Sequence, residues 1–487
     1  MRRRALALAL LAVLAACGGG TKHGDATAST TTMTARRTTS STTSTTAAST
    51  TTTASTVAAP AQPATAACPA VPARNAPDPN RPSYVLDLHL DLAANVIDGR
   101  ETVRFTPDLP TDRLVFRLWP NGPTLSTAGA KLDVSDVYLG GTAPVPTQRP
   151  NATTLVVPVA GGLRAGQTIE ATVPFRLTLP GPNGDRISRR GDTVRLGSFE
   201  PLLAWEPGVG WALEPPTALH GETSTAPDAD WSMSVVVPAG LTVYATGDQR
   251  DGRWIATAIR EPAIAIGRFR AVEGTARAPQ PVHVTVAVES SLGDNPASYL
   301  GTVTRALADF GTRFGAYPLD SYTLVLTPDL HGGIEYPGFV HQGPGSGGRS
   351  TPHEIGHQWF YGLVGNDQAR DPWIDEGLAS YAEARDLGNL GSFESRDIPA
   401  TARGHAGEPM TFWDAGRASA YYRGVYVQGT QAVAALGPAD RVDCALRHLV
   451  ARQAYRVATT RDVIESLRVV FPDAAAVLGR FGIASRP

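Results

Sequence analysis

The chain is 487 residues long, 42% hydrophobic and 18% charged, with a formal net charge of −2. That length accommodates two or three domains with ordinary cores. No run of Lys or Arg past the extreme N-terminus builds the positive surface that nucleic acid requires, which excludes that partner, and three cysteines are too few for a disulfide scaffold.

Residues 1–16 combine Arg2-Arg3-Arg4, an apolar stretch and the small residues Ala15 and Ala16, the pattern of a secretory signal too short to span a bilayer. Leu14-Ala15-Ala16-Cys17 resembles the lipobox of bacterial lipoproteins, in which the cysteine is diacylated and becomes the new N-terminus. The resemblance implies a lipid anchor on Cys17 and a place at the extracytoplasmic face of the cell membrane. The plain alternative is a signal peptide that happens to contain Cys17. Residues 17–80 are rich in Thr, Ser, Ala and then Pro, and too apolar-poor to offset their ordering entropy, so a disordered tether is expected there. Cys68 and Cys444 either pair in an oxidising compartment or stay as two thiols.

A β-sheet domain is expected over 81–275. Leu86, Leu88, Leu90 and Leu92 alternate with Asp87, His89 and Asp91, the period of a half-buried strand. Asp98-Gly99 reads as a hairpin turn. Further strand-like runs lie at 114–118, 155–159, 233–237 and 242–245. The texture changes after Pro281, giving a strand at 282–288 and a helix at 297–314 with Leu300, Val303, Leu307, Phe310 and Phe314 at helical spacing. A strand at 322–326 and a largely helical pattern from Ser350 complete an α/β catalytic domain over 276–487.

The chemistry concentrates in His353-Glu354-Ile355-Gly356-His357. On a helix the two histidines share a face one turn apart and can ligate one zinc ion, with Glu354 beside the metal's water as catalytic base. Glu376, within Trp373-Ile374-Asp375-Glu376-Gly377-Leu378-Ala379, supplies a third ligand. Two His and one Glu leave a coordination position open, the mark of a catalytic and not a structural site. Thr351-Pro352-His353-Glu354 also fits a capping box, which would tie Glu354 back to the backbone. A helix starting near Arg349 or Ser350 frees it.

His-Glu-x-x-His followed by Glu within Trp-x-x-Glu-Gly-x-Ala resembles the aminopeptidase N family of gluzincins, which includes the leukotriene-A hydrolases. The resemblance implies a saddle-like N-terminal β-sheet domain, then a thermolysin-like zinc catalytic domain. The stretch after Tyr426 is too short for the family's C-terminal helical domain, so none is expected and the cleft should be more open. Gly332-Gly333-Ile334-Glu335-Tyr336 stands where the family has Gly-Ala-Met-Glu-Asn, which assigns Glu335 to the substrate's free amino group, with Gly332 and Gly333 beside it. Gly424-Val425-Tyr426-Val427-Gln428-Gly429 resembles the family's Val-x-Tyr-x-Lys-Gly region, which gives Tyr426 the oxyanion, with Tyr421 nearby and Gln428 in place of Lys. Ser198 falls where a glutamine often helps hold the amine, and Glu383, two turns past Glu376, is placed to orient a ligand histidine. Three functions compete: an aminopeptidase acting on peptides outside the cell, a zinc endopeptidase or non-peptide hydrolase, and an inactive surface-binding lipoprotein. Blocked against free N-terminal substrates separate the first two, and a lost ligand or base would mark the third.

Overall fold

A computed structural model describes residues 67–219 and 225–486. The signal segment, Cys17 and the tether as far as residue 66 lie outside the described residues. Among the described residues no helix is long and apolar enough to cross a membrane.

Strand Ser83–Asp91 buries Tyr84, Leu86, Leu88 and Leu90 on one face, as its alternation requires. It lies inside a nine-stranded sheet, parallel to Ala229–Val236 on one side and antiparallel to Val96–Phe105 on the other. The other runs fall in strands Thr111–Arg117, Thr154–Leu163 and Thr242–Ala245, which belong to two four-stranded sheets. All three sheets contribute to one core, with Leu88, Phe116, Leu155, Leu196, Trp231 and Ile264 among its members.

The Asp98-Gly99 turn is not there. The chain reverses earlier, at residues 92–95, where Asp91 Oδ1 accepts from the amides of Ala93 and Ala94 at 2.9 Å each and Asn95 adopts a φ of 60°. Asp98 and Gly99 sit within strand Val96–Phe105. Asp98 pairs with Arg176 at 2.7 Å, and the Phe175 ring lies over Gly99, where a Cβ would come within 2.1 Å of it. The glycine makes room for a neighbouring aromatic ring.

A second core gathers around a five-stranded sheet ordered Phe269–Arg277, Pro281–Glu289, Ser321–Leu326, Phe339–Gln342, Gly333–Tyr336. The boundary drawn between 275 and 276 therefore cuts a strand: Phe269–Arg277 pairs along its whole length with Pro281–Glu289. Helix Pro296–Phe314 begins at Asn295, whose side chain accepts from Ala297 N, and packs Val303, Leu307, Phe310 and Phe314 into this core. From Ser350 on, helices dominate.

Residues 68–80, assigned to the tether, are held by the folded part. Cys68 and Cys444 form a disulfide with Cα atoms 5.8 Å apart. Arg74 Nη1 donates to Ala316 O at 2.6 Å, Asn75 N to Ala451 O at 2.9 Å and His448 Nε2 to Pro69 O at 3.3 Å. Polar side chains and a cross-link order this segment where apolar burial could not.

Candidate active site

Three helical elements build the side of the site that carries His353, His357, Glu376 and Tyr426. Helix Ser350–Gly356 starts at Ser350 with Arg349 as its cap, and Thr351 Oγ1 bonds the Gln342 side chain instead of capping, so Glu354 stays out of a capping box. Helix Pro372–Asp386 carries Glu376 and lies against it, close enough that a Cβ on Gly356 would meet Ala379 O at 3.1 Å. A π-helical turn, Arg423–Val427, carries Tyr426 into the following helix. Such turns widen a helix locally and concentrate at functional sites. That helix touches the second through two glycines: a Cβ on Gly429 would come within 2.9 Å of Gly377 Cα.

These contacts bring His353, His357 and Glu376 together. The two Nε2 atoms are 3.1 Å apart, and Glu376 Oε2 is 3.1 Å from that of His353 and 3.4 Å from that of His357. Ligands at about 2.0–2.1 Å from a tetrahedral zinc ion stand roughly 3.3 Å from one another. The triangle therefore matches one zinc ion in both size and donor type. Its electrostatics ask for the same charge. Burial depresses His353, but hydrogen bonds to Glu376 and Glu383 outweigh it and lift the imidazole to about 10. Burial likewise opposes charge on Glu376, yet His357 and His353 hold it well below the usual carboxylate range. Positive charge belongs between these groups, as protons or as a metal ion.

A carboxylate stands behind each histidine, and His357 Nδ1 also lies 3.3 Å from Phe360 O. His353 Nδ1 lies 3.5 Å from Glu383 Oε2, and Arg349 fixes Glu383 at 2.7 Å. His357 Nδ1 lies 2.5 Å from Asp375 Oδ1, which is fully buried. Carboxylates in this position set the tautomer and ring orientation of a ligand histidine. Sequence reasoning singled out Glu383 and missed Asp375. The available signal was an acid next to the ligand glutamate on a helix entering the core.

Glu354 is buried beside the triangle, its carboxyl pushed up to about 8 by burial against the opposing pull of both histidines. Its Oε2 has no hydrogen-bond partner among the described residues. Gly333 is its seat: the three nearest atoms to a Cβ there are Cδ, Cγ and Oε1 of Glu354, at 2.4, 2.4 and 2.6 Å. Gly332 forms the turn before this strand with φ at 86°. Glu335, on the same strand, is buried at the edge of the site, and one of its oxygens groups with a carboxylate oxygen of Glu354 and a ring nitrogen of His357 within 4.8 Å. Arg186 Nη2 is 3.9 Å from Glu335 Oε1. Tyr426 Oη donates to Glu376 Oε1 at 2.6 Å, its ring stacked 5.7 Å from that of His353. Tyr421 meets the Tyr426 ring edge-on at 5.7 Å. Gln428 is structural, accepting from Gly404 N and donating to Ala402 O, both at 2.8 Å. Ser198 Oγ donates to Glu261 Oε2 at 2.6 Å.

With this geometry in hand, likeness to known proteins is informative. An M1 zinc metallopeptidase from Deinococcus radiodurans superposes with a TM-score of 0.61 at 20% identity, over 84% of this chain and 96% of that one. A variant of it bound to a Tyr-Ser-Ala substrate gives the same values. A two-domain M1 zinc metallopeptidase variant bound to L-tryptophan matches with a TM-score of 0.61 at 20% identity, over 84% of this chain and 95% of that one. The fold is that of the M1 zinc metallopeptidases. In sequence, 95 residues are 35% identical to aminopeptidase B of Mus musculus, covering 18% of this chain and only 15% of that protein's length. No protein-family model matches the chain.

Proposed function

We propose that the protein is a zinc-dependent aminopeptidase that removes N-terminal residues from peptides outside the cell, held at the extracytoplasmic membrane face by a diacylated Cys17. The observation that carries this reading is the zinc-sized triangle of His353, His357 and Glu376 with the buried Glu354 carboxyl beside it, whose Oε2 has no hydrogen-bond partner among the described residues. A single zinc ion bound by these three would activate a water molecule and polarise the scissile carbonyl. Glu354, raised by burial toward neutral pH, takes the water's proton and passes it to the leaving amine. Tyr426, whose hydroxyl proton is already directed into the site, donates to the developing oxyanion. Glu335 pairs with the substrate's ammonium and sets the register of cleavage. The likeness to a protein described with a Tyr-Ser-Ala substrate supports peptides as the substrate class.

One observation favours a second reading. The Arg186 guanidinium beside Glu335 offsets part of the negative charge that would hold an ammonium, which suits an endopeptidase acting in an open cleft. One peptide in free and N-acetylated forms, with products read by mass, separates the two. Loss of single N-terminal residues from the free form alone supports the aminopeptidase. Cleavage of both forms within the chain contradicts it.

A further inference from the structure

We infer that Gln368 is a positioning residue that ties the amine-binding carboxylate and the metal cradle into one unit. The inference rests on the function proposed above and concerns a residue whose sequence context carries no signal of its own.

Gln368 is fully buried in the loop between strand Val364–Asn366 and helix Pro372–Asp386. Its side-chain nitrogen donates to two carboxylates: to Glu335 Oε1 at 3.4 Å and to Asp375 Oδ2. A primary amide has two hydrogens on that nitrogen, and both are thereby committed. The other oxygen of Asp375 faces His357 Nδ1 at 2.5 Å, and His357 Nε2 is a corner of the ligand triangle. A continuous chain therefore runs from Glu335 through Gln368 and Asp375 to His357.

The orientation of the amide is forced. Turned over, it would set its carbonyl oxygen against two buried carboxylates. As placed, that oxygen has no hydrogen-bond partner among the described residues, so the two donated bonds fix the group. The loop beneath is rigid: Asp371 N donates to Asp367 O at 2.8 Å, Arg370 N to Asp367 Oδ1 at 3.0 Å and Asn366 Nδ2 to Asp371 O at 3.0 Å. Thr460 Oγ1 ties Asp371 to the C-terminal helices at 2.8 Å. Without the amide, two buried carboxylates would lose a shared donor at once. Glu335 would then be less well placed for an ammonium, and Asp375 less well placed for His357.

The test is Gln368→Met, which keeps the volume and removes both donors. Two quantities are read on the full-length protein: the zinc dissociation constant, by competition with a chromophoric chelator, and KM and kcat for leucine 4-nitroanilide. Losing a carboxylate that directly supports a ligand histidine costs about 10–100-fold in metal affinity. Gln368 acts one step further out, so a weakening of roughly threefold to tenfold is expected. KM should rise by a similar factor while kcat changes less. A role confined to packing would lower stability and leave both quantities unmoved, which overturns the inference, as does a change in either quantity without the other. Should Gln368→Met fail to fold, Gln368→Asn, with an amide too short to bridge both carboxylates, reads the same pair. If the wild-type protein does not hydrolyse the anilide, the proposed function falls and the zinc arm alone decides the role of Gln368.

Discussion

Replacing Gly333 by alanine places a methyl group against the carboxylate assigned as catalytic base. The new Cβ would stand 2.4 Å from Cγ and Cδ of Glu354 and 2.6 Å from Oε1. Carbon atoms in contact rest at about 3.5–4.0 Å, so the carboxylate must retreat by roughly 1 Å. A misplacement of that size costs on the order of 10²-fold in rate, equivalent to about 2.7 kcal/mol of activation free energy. Gly333 lies outside the left-handed region, so the methyl group adds no backbone strain. All three nearest atoms belong to Glu354, and the proposed ligands His353, His357 and Glu376 are not among them. The assay is kcat/KM on a tripeptide with a free amino end, together with zinc content by atomic absorption. The expected variant holds a full complement of zinc and is about a hundredfold slower. A variant with full zinc and activity within threefold of wild type would refute the assignment of Glu354, or its seating on this strand.

Three further outcomes follow from the same geometry. Asp375→Asn should weaken zinc binding by about 10–100-fold through His357, and unchanged affinity in a chelator competition would remove Asp375 from the site. Tyr426→Phe should lower kcat by about 10²–10³-fold with little change in KM; a purely structural tyrosine would instead show up as lost thermal stability with kcat preserved. Glu101 is fully buried, neither of its carboxylate oxygens has a hydrogen-bond partner among the described residues, and burial and then Glu200 push it well above the carboxylate range. Burial pushes Glu200 itself up to about 8. The folded chain thus keeps protons that the unfolded chain releases above about pH 4.3. The stability these groups contribute is full below that pH and is lost as pH rises, at about 1.4 kcal/mol per pH unit for each group, ending near pH 8 for Glu200. Glu101→Met should flatten that decline in urea unfolding between pH 5 and 8, and an equal slope in variant and wild type would contradict it.

Local pattern carried the parts of the fold that local physics decides. The alternation from Leu86 to Leu90 marks a strand because one face must be buried, and the spacing from Val303 to Phe314 marks a helix for the same reason. The approach of His353 to His357 was legible because a helix turn brings them together without help from the rest of the chain. What escaped depends on contacts between distant segments. Gly99 looks like a turn until Phe175 is seen over it. Asp375 looks like a surface acid until His357 is found against it. Gln368 has no recognisable neighbourhood in sequence, since Glu335 and Asp375 come from different elements. Residues 68–80 read as tether because their composition cannot pack, and the disulfide to Cys444 supplies the constraint that composition lacks. The domain boundary expected after residue 275 fell inside strand Phe269–Arg277 because a strand's pattern does not name its partner.

The most direct test of the central claim is a zinc titration of the metal-free protein, followed by release of the N-terminal residue from a free-amine tripeptide. Activity that returns in proportion to zinc and saturates at one equivalent, and fails to return in His353→Ala, is the predicted result. Hydrolysis that persists in the metal-free protein, or zinc bound at one equivalent with no hydrolysis, would contradict it.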